Sequence, residues 1–322
     1  MWSCGPLNAT GLEDGLGCPQ LRLALTALSL LCLAVGMPVG LGGNGLLVLV
    51  LVGERVAAMP DVYFLNLALA GLLLSALAPP HLLGPGAARW PLWRPGSQAR
   101  VALLVLFNVA ALVSVYSAAL LGLDSYIARA LPGSPLPSAY NARHVCGFLW
   151  GGALLTSFSA LLAHVCGQLA ARPAECARLQ DSRLADGLLA LVGYLVPALA
   201  ALYALLLLAR LRMRASSLDP DASRLDPTAQ RLLLATVGLQ LGLWAPHYLV
   251  LLGRVLLGAR GELLLAQDAA RCLAFASGAA TPLLYRGLSP TFPHQLRRLL
   301  ARLPLRRRPC DPEPPAVQPV LA

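Results

Sequence analysis

"VALLVLFNVAALVSVYSAALLGLDSY", residues 101–126, runs for 23 residues without a charge before Asp124 interrupts it. At 1.5 Å rise per residue, a helix of that length crosses the roughly 30 Å hydrocarbon core of a bilayer. Working outward, comparable runs occupy 23–52, 62–83, 145–167, 187–209 and 231–257. A seventh, 263–285, contains Gln267, Asp268 and Arg271. A charge at the bilayer centre costs about 2.5–3.5 kcal/mol on insertion scales. The membrane portion of this last run is therefore expected to begin near Arg271, with Asp268 and Arg271 at its mouth.

The composition agrees. Of 322 residues, 57% are hydrophobic and 12% charged, against about 25% charged in an ordinary soluble domain. Most of the surface must face something other than water. The 25 basic residues are all arginine, which excludes Schiff-base chemistry on a lysine. A net charge of +10 raises the question of nucleic acid, but the arginines are scattered among apolar spans rather than striped along one face. An anionic membrane surface is the expected partner, and no nucleic acid. Eight cysteines occur without C-x-x-C pairs or histidine spacing, so neither a metal nor another cofactor is expected. No H-E-x-x-H or G-x-S-x-G motif points to an intramembrane enzyme.

The first twenty residues lack the apolar core and small-residue site of a cleavable signal peptide. Asn8-Ala9-Thr10 is the one N-x-[S/T] sequence, making Asn8 a glycosylation candidate and placing the N-terminus outside. The expected organisation is an extracellular segment at 1–20, a seven-helix bundle at 21–286, an interfacial helix at 287–303 and a cytoplasmic tail at 304–322. In the interfacial segment, Phe292, Leu296, Leu299, Leu300 and Leu303 share one face and Arg297, Arg298, Arg302 and Arg306 another. Such a helix lies flat on the membrane. Cys310 beyond it is a candidate for a palmitoyl anchor or a free tail thiol.

Several spans carry single marks. The first has Gly43 and Asn44, the fourth Trp150 and the fifth Pro197. The sixth reads "GLWAPHY", with Trp244 two residues before Pro246; the seventh reads "TPLLY", giving Thr281, Pro282 and Tyr285. Together and in this order, they resemble the rhodopsin-like (class A) G-protein-coupled receptors from about Gly43 to Leu303. In detail the chain looks like an orphan member of that class. The resemblance implies an all-α plasma-membrane receptor, an extracellular ligand and a heterotrimeric G protein as partners, and no enzymatic activity. It also implies a conformational switch made of Asp124, Ser125, Tyr126, Trp244, Pro246, Thr281, Pro282 and Tyr285.

That switch departs from the family pattern. Asp124-Ser125-Tyr126 is similar to Asp-Arg-Tyr, with Pro132 following in the next loop, but serine fills the arginine slot. Asp124 then either pairs with Arg129 or Arg143 or is solvated at the helix end. Gly71 stands where the second span usually has aspartate, so an interior sodium ion would lose its full negative partner, with only Ser114 and Ser277 offering hydroxyls. Thr281 replaces asparagine, Gln240 a common phenylalanine, and Leu205 a tyrosine. Arg100 stands where the family's extracellular disulfide begins, which leaves Cys18 as the expected partner of Cys176.

Phe107 falls where amine-sensing members present an aspartate. The expected ligand pocket comprises Phe107, Asn108, His247, Tyr248, Asp268 and Arg271. The arginines of the outer segments suit an anionic or peptide ligand; the same residues can instead snorkel to lipid headgroups. Two other readings compete with the receptor: a receptor-shaped scaffold without nucleotide exchange, and a transporter. The transporter would need charges near the bilayer centre or matched broken helices.

Overall fold

The computed structural model describes residues 19–53, 59–83, 97–131, 142–169, 182–218, 227–258 and 261–302. Among them the chain is helical apart from helix ends and the joint at 289–291, as the backbone must be where no water can satisfy its polar groups. Helix α1 joins Pro19–Leu31 and Met37–Gly53 through a wide π turn at Cys32–Gly36. Then come α2 (Met59–Leu82), α3 (Ser97–Ala130) and α4 (Ala142–Leu169). Helix α5 joins Ser182–Ala190 to Val196–Leu218 through a second π turn at Leu191–Leu195, and α6 (Pro227–Leu257), α7 (Gly261–Leu288) and α8 (Phe292–Arg302) follow.

Both π turns have the same origin. Met37 and Val196 donate their N–H groups to Cys32 and Leu191, five residues back, and each is followed directly by a proline, Pro38 and Pro197. A proline cannot donate, and its ring crowds the carbonyl four residues earlier. Admitting one extra residue to the preceding turn relieves that crowding without breaking the helix.

Helix α3 is the central element, packing on α2, α4, α5 and α6, while α7 closes the ring against α1, α2 and α6. Its Phe107 and Val109–Val115 stretch is almost wholly buried. Among the described residues, five helical stretches are long and apolar enough to cross a membrane: Leu23–Gly53, Met59–Leu82, Val101–Ala130, Arg183–Arg214 and Thr228–Leu257. Large side chains such as Phe148, Leu155 and Tyr203 face outward on the bundle, which is what lipid, unlike water, accommodates.

The helices overrun the expected spans. Helix α3 continues past Leu123 to Ala130, so Asp124, Ser125 and Tyr126 lie within it rather than beyond its end. Helix α7 starts at Gly261, ahead of Asp268 and Arg271, and ends at Leu288 because Ser289 precedes Pro290 and is biased away from α geometry. The interfacial helix consequently begins at Phe292, not 287. It is seated by Phe292, which is buried, and by Leu296 and Leu299 against the core. Helix α6 ends on Gly258 at φ 79°, whose N–H donates to the Arg254 carbonyl; the left-handed conformation there suits glycine.

Candidate functional site

The outer half of the bundle converges on Phe107. Its ring lies 5.1 Å from His81 on α2, 5.8 Å from Trp244 and 5.3 Å from His247 on α6, and 5.4 Å from Phe275 on α7. His81 also contacts Phe275 at 5.6 Å and hydrogen-bonds the Leu103 carbonyl through Nε2 at 3.3 Å. Four helices thus share one aromatic cluster, with Trp244 fully buried at its base. Tyr248 stacks on Tyr194 of α5 at 4.9 Å with the planes 13° apart. Asn108 is buried beside Phe107.

The sixth helix is prepared for bending at this level. Pro246 leaves the Gly242 carbonyl without its helical donor. Next to that carbonyl, the Tyr194 hydroxyl donates to Leu241 O at 2.8 Å, so α5 holds α6 at the turn where its own ladder is interrupted. The Tyr116 hydroxyl donates to Val192 O within the α5 π turn at 3.4 Å, which couples α3 to the same region.

Above the aromatic cluster stand two ion pairs. Arg254 meets Asp186 of α5 at 3.5 Å, and Arg271 meets Asp268 one turn away on α7 at 3.4 Å. Burial raises the Asp268 carboxyl above the usual carboxylate range, and the Arg271 guanidinium draws it partly back. Both pairs are partly exposed, so each contributes little stability by itself; their consequence is a mouth lined by paired charge.

The inner half is held by polar bridges. Asn44 Nδ2 donates to Gly40 O at 2.8 Å and, across to α7, to Gly278 O at 2.7 Å. Its amide fills the space at Gly71, where a Cβ would lie 2.6 Å from Nδ2 and 2.9 Å from Cγ. The absence of a side chain at 71 is therefore what admits Asn44. Ser75, Ser114 and Ser277 donate to carbonyls of their own helices, at 2.7, 2.8 and 2.6 Å. Gln240 Nε2 donates to Thr281 Oγ1 at 2.8 Å, joining α6 to α7. Trp150 Nε1 donates to Asn66 Oδ1 at 3.0 Å, joining α4 to α2. Tyr285 is buried between Phe64 and Phe292, ring centroids 4.9 and 5.7 Å away, and so links α7 to α2 and α8.

The sequence-predicted residues fall into three groups. Phe107, His247, Tyr248 and Trp244 come together in the cluster, with Asn108 buried beside them and Asp268 and Arg271 at the mouth. Thr281 and Pro282 lie buried lower on α7, and Pro246 is half-buried on α6. Asp124, Ser125 and Tyr126 are half-buried on α3; Ser125 Oγ turns back to donate to Leu121 O at 2.7 Å. Asn8, Cys18, Cys176 and Cys310 lie outside the described residues.

Sequence reasoning passed over His81, Phe275, Tyr194 and Asp186. A histidine and an aspartate at the edges of apolar spans are costly in lipid and so mark themselves. Phe275 and Tyr194 carry no such mark, since an aromatic residue in a span is ordinary.

Comparison with known proteins gives concordant matches. Residues 43–285 match the family described as 7 transmembrane receptor (rhodopsin family). G-protein coupled receptor 146 of Mus musculus is 53% identical over the whole of this chain and 99% of its own length. The protein of the same name from Xenopus laevis is 42% identical over all of both chains. C-X-C chemokine receptor type 1 of Rattus norvegicus is 27% identical over 81% of this chain and 77% of its own.

Proposed function

Since the chain belongs to the rhodopsin family of seven-transmembrane receptors, we propose that it carries an extracellular signal to a heterotrimeric G protein through a switch in which Gln240 and Thr281 couple α6 to α7. It is a multi-pass receptor of the plasma membrane and not an enzyme. The observation that carries the proposal is the placing of the Phe107–Trp244 contact one turn of α6 above the Gln240–Thr281 bridge. A ligand that displaces the cluster bears directly on Trp244, and Trp244 is one turn from Gln240 on the helix that Pro246 lets bend.

The ligand this site favours is anionic, a small acid or an acidic peptide. Arg271 is one helical turn above Phe275, so an anion exchanging with Asp268 at Arg271 lays its body on the aromatic cluster. Phe107 offers no counter-ion for an amine. The same reading takes 1–20 as an extracellular segment with a glycan on Asn8 and a Cys18–Cys176 disulfide, the bundle as ending with α7 at Leu288, Phe292–Arg302 as the interfacial element and 304–322 as a cytoplasmic tail with Cys310 acylated. Membrane lipids meet the outward apolar side chains and the basic face of α8.

A second reading, a scaffold that binds partners without nucleotide exchange, is favoured by Ser125, whose hydroxyl is spent on its own helix. Nucleotide exchange measured across G-protein families separates the two. Cells expressing the wild-type chain are expected to exceed mock-transfected cells for at least one family, with the increment lost in Trp244→Ala. Activity confined to Ser125→Arg would replace the receptor reading by the scaffold.

A further inference from the structure

The inner ends of α5 and α6 meet at a polar contact. Arg212 Nη1 of α5 donates to Gln230 Oε1 of α6 at 3.1 Å. Gln230 is buried in the first turn of α6, and Arg212 reaches it from the exposed inner end of α5. A guanidinium donor makes this a charge-assisted bond, stronger than one between two neutral groups.

The two helices that it joins are anchored differently. The inner part of α5, Val196–Leu218, packs along α3. A Cβ at Gly122 of α3 would lie 3.9 Å from the Ala201 carbonyl oxygen and 4.0 Å from Leu205 Cδ2, so the two helices run close there. Against α6 the same part of α5 packs sparsely. The contacts of Tyr194 with Leu241 O and Tyr248 lie higher, on either side of Pro246. Below them the Arg212–Gln230 bond ties α6 to α5, and through α5 to α3.

Its position gives the bond leverage. At 1.5 Å rise per residue, Gln230 lies about 24 Å below Pro246 along the axis of α6. A bend of about 10° at the proline therefore carries Gln230 about 4 Å sideways. A hydrogen bond of 3.1 Å does not survive that displacement while α5 stays on α3. The bond and a bent α6 exclude each other.

We propose that Arg212 and Gln230 form an inner latch that holds α6 closed in the unliganded receptor, in the role that Ser125 leaves open. The proposal rests on the receptor reading above. Ser125 cannot reach out to α6, because its short hydroxyl donates to Leu121 O within its own helix. The guanidinium comes from α5 instead and engages the end of α6 that travels furthest. The Gln240–Thr281 bridge restrains the same helix nearer its bend. Displacing Trp244 thus works on the short arm of α6, and the latch opens at the long one.

Distances between spin labels on the full-length receptor in membranes test this without a ligand. Nitroxides are introduced through p-acetylphenylalanine at positions 144 of α4 and 234 of α6, both exposed, and read by double electron–electron resonance. Gln230→Leu and Arg212→Ala should each add a population longer than the wild-type distance by several ångströms. The exchanged pair Arg212→Gln/Gln230→Arg, which can remake the bond in reverse, should restore the wild-type distribution. Unchanged distances in both single variants, or no restoration in the exchanged pair, overturn the proposal. Binding of a nucleotide-free Gα surrogate should rise about two- to tenfold in the single variants and fall back in the exchanged pair. Distances that shift and recover as expected, with no Gα binding by any variant, would uphold the latch and overturn the coupling to a G protein.

Discussion

Gln240 and Thr281 are joined side chain to side chain, Nε2 donating to Oγ1 at 2.8 Å in a site where both residues are about 2% exposed. The Thr281 hydroxyl in turn donates a hydrogen bond to Ser277 O at 3.4 Å. The family resemblance leads one to expect a phenylalanine and an asparagine at these positions, which would not make this bond. One turn above Gln240, Trp244 is fully buried, and neither Trp244 Nε1 nor Gln240 Oε1 has a partner among the described residues. The bond is a direct polar contact between the bending helix and its neighbour, at the level where that neighbour carries Pro282.

A thermal double-mutant cycle on this pair should show coupling. Thr281→Val strands the Gln240 amide in the core, at about 1–3 kcal/mol. Adding Gln240→Leu removes the stranded group, so the double variant should melt above Thr281→Val alone, with a coupling energy of about 1 kcal/mol. Additive losses would mean that the bond does not bear on stability.

Sodium should not stabilise this receptor beyond what potassium does. Gly71 supplies no carboxylate, Asn44 fills the space, and the serine hydroxyls nearby are turned to their own helices. Melting curves in equal concentrations of the two chlorides are expected to coincide, and a sodium-specific rise would contradict this. Gly71→Ala, whose Cβ meets Asn44, should lower stability by about 1–3 kcal/mol.

Asn66 should prove more important than its chemistry suggests. It accepts from Trp150 Nε1 while donating to Val62 O at 2.8 Å and Cys146 Sγ at 3.3 Å. Asn66→Ala leaves the indole N–H of α4 unpaired, so the loss should be about 1–3 kcal/mol. Trp150→Phe together with Asn66→Leu should recover part of it. Failure of the pair to recover any stability would place the effect elsewhere.

The tail beyond Leu303 contains no serine or threonine, so it offers no hydroxyl for phosphorylation. Deleting 304–322 should leave arrestin recruitment unchanged, whereas Ser216, Ser217, Ser223 and Thr228 remain as hydroxyls before and at the start of α6. A large loss on deletion, measured by energy transfer to arrestin, would refute this.

The membrane makes the topology legible because hydropathy and the loss of water leave the backbone few choices. Residues 101–123 alone were enough to establish the length scale, and the charges at Asp268 and Arg271 made the last span the hardest to delimit. Helix ends were less legible, since the helix needs no lipid to continue: α3 runs on through Asp124 to Ala130. The π turns before Pro38 and Pro197 were not legible, because a proline announces a defect without choosing between a kink and a widened turn. In the candidate site, Phe107, His247 and Tyr248 were identified individually. Their meeting with His81 and Phe275 depends on how four helices are rotated, and one sequence does not encode that locally. Gln240 and Thr281 were visible only as two separate departures; that each answers the other appears once α6 and α7 are packed.

The most direct test of the switch is binding of a nucleotide-free Gα surrogate to the unliganded receptor in membranes, comparing the wild type with Gln240→Leu/Thr281→Val. If the bridge holds α6 against α7, and coupling proceeds without an arginine at position 125, the wild type binds measurably and the double variant binds roughly two- to tenfold more, the factor that one net hydrogen bond supplies. Equal binding by the two, or binding that appears only when Ser125→Arg is introduced, would contradict the account.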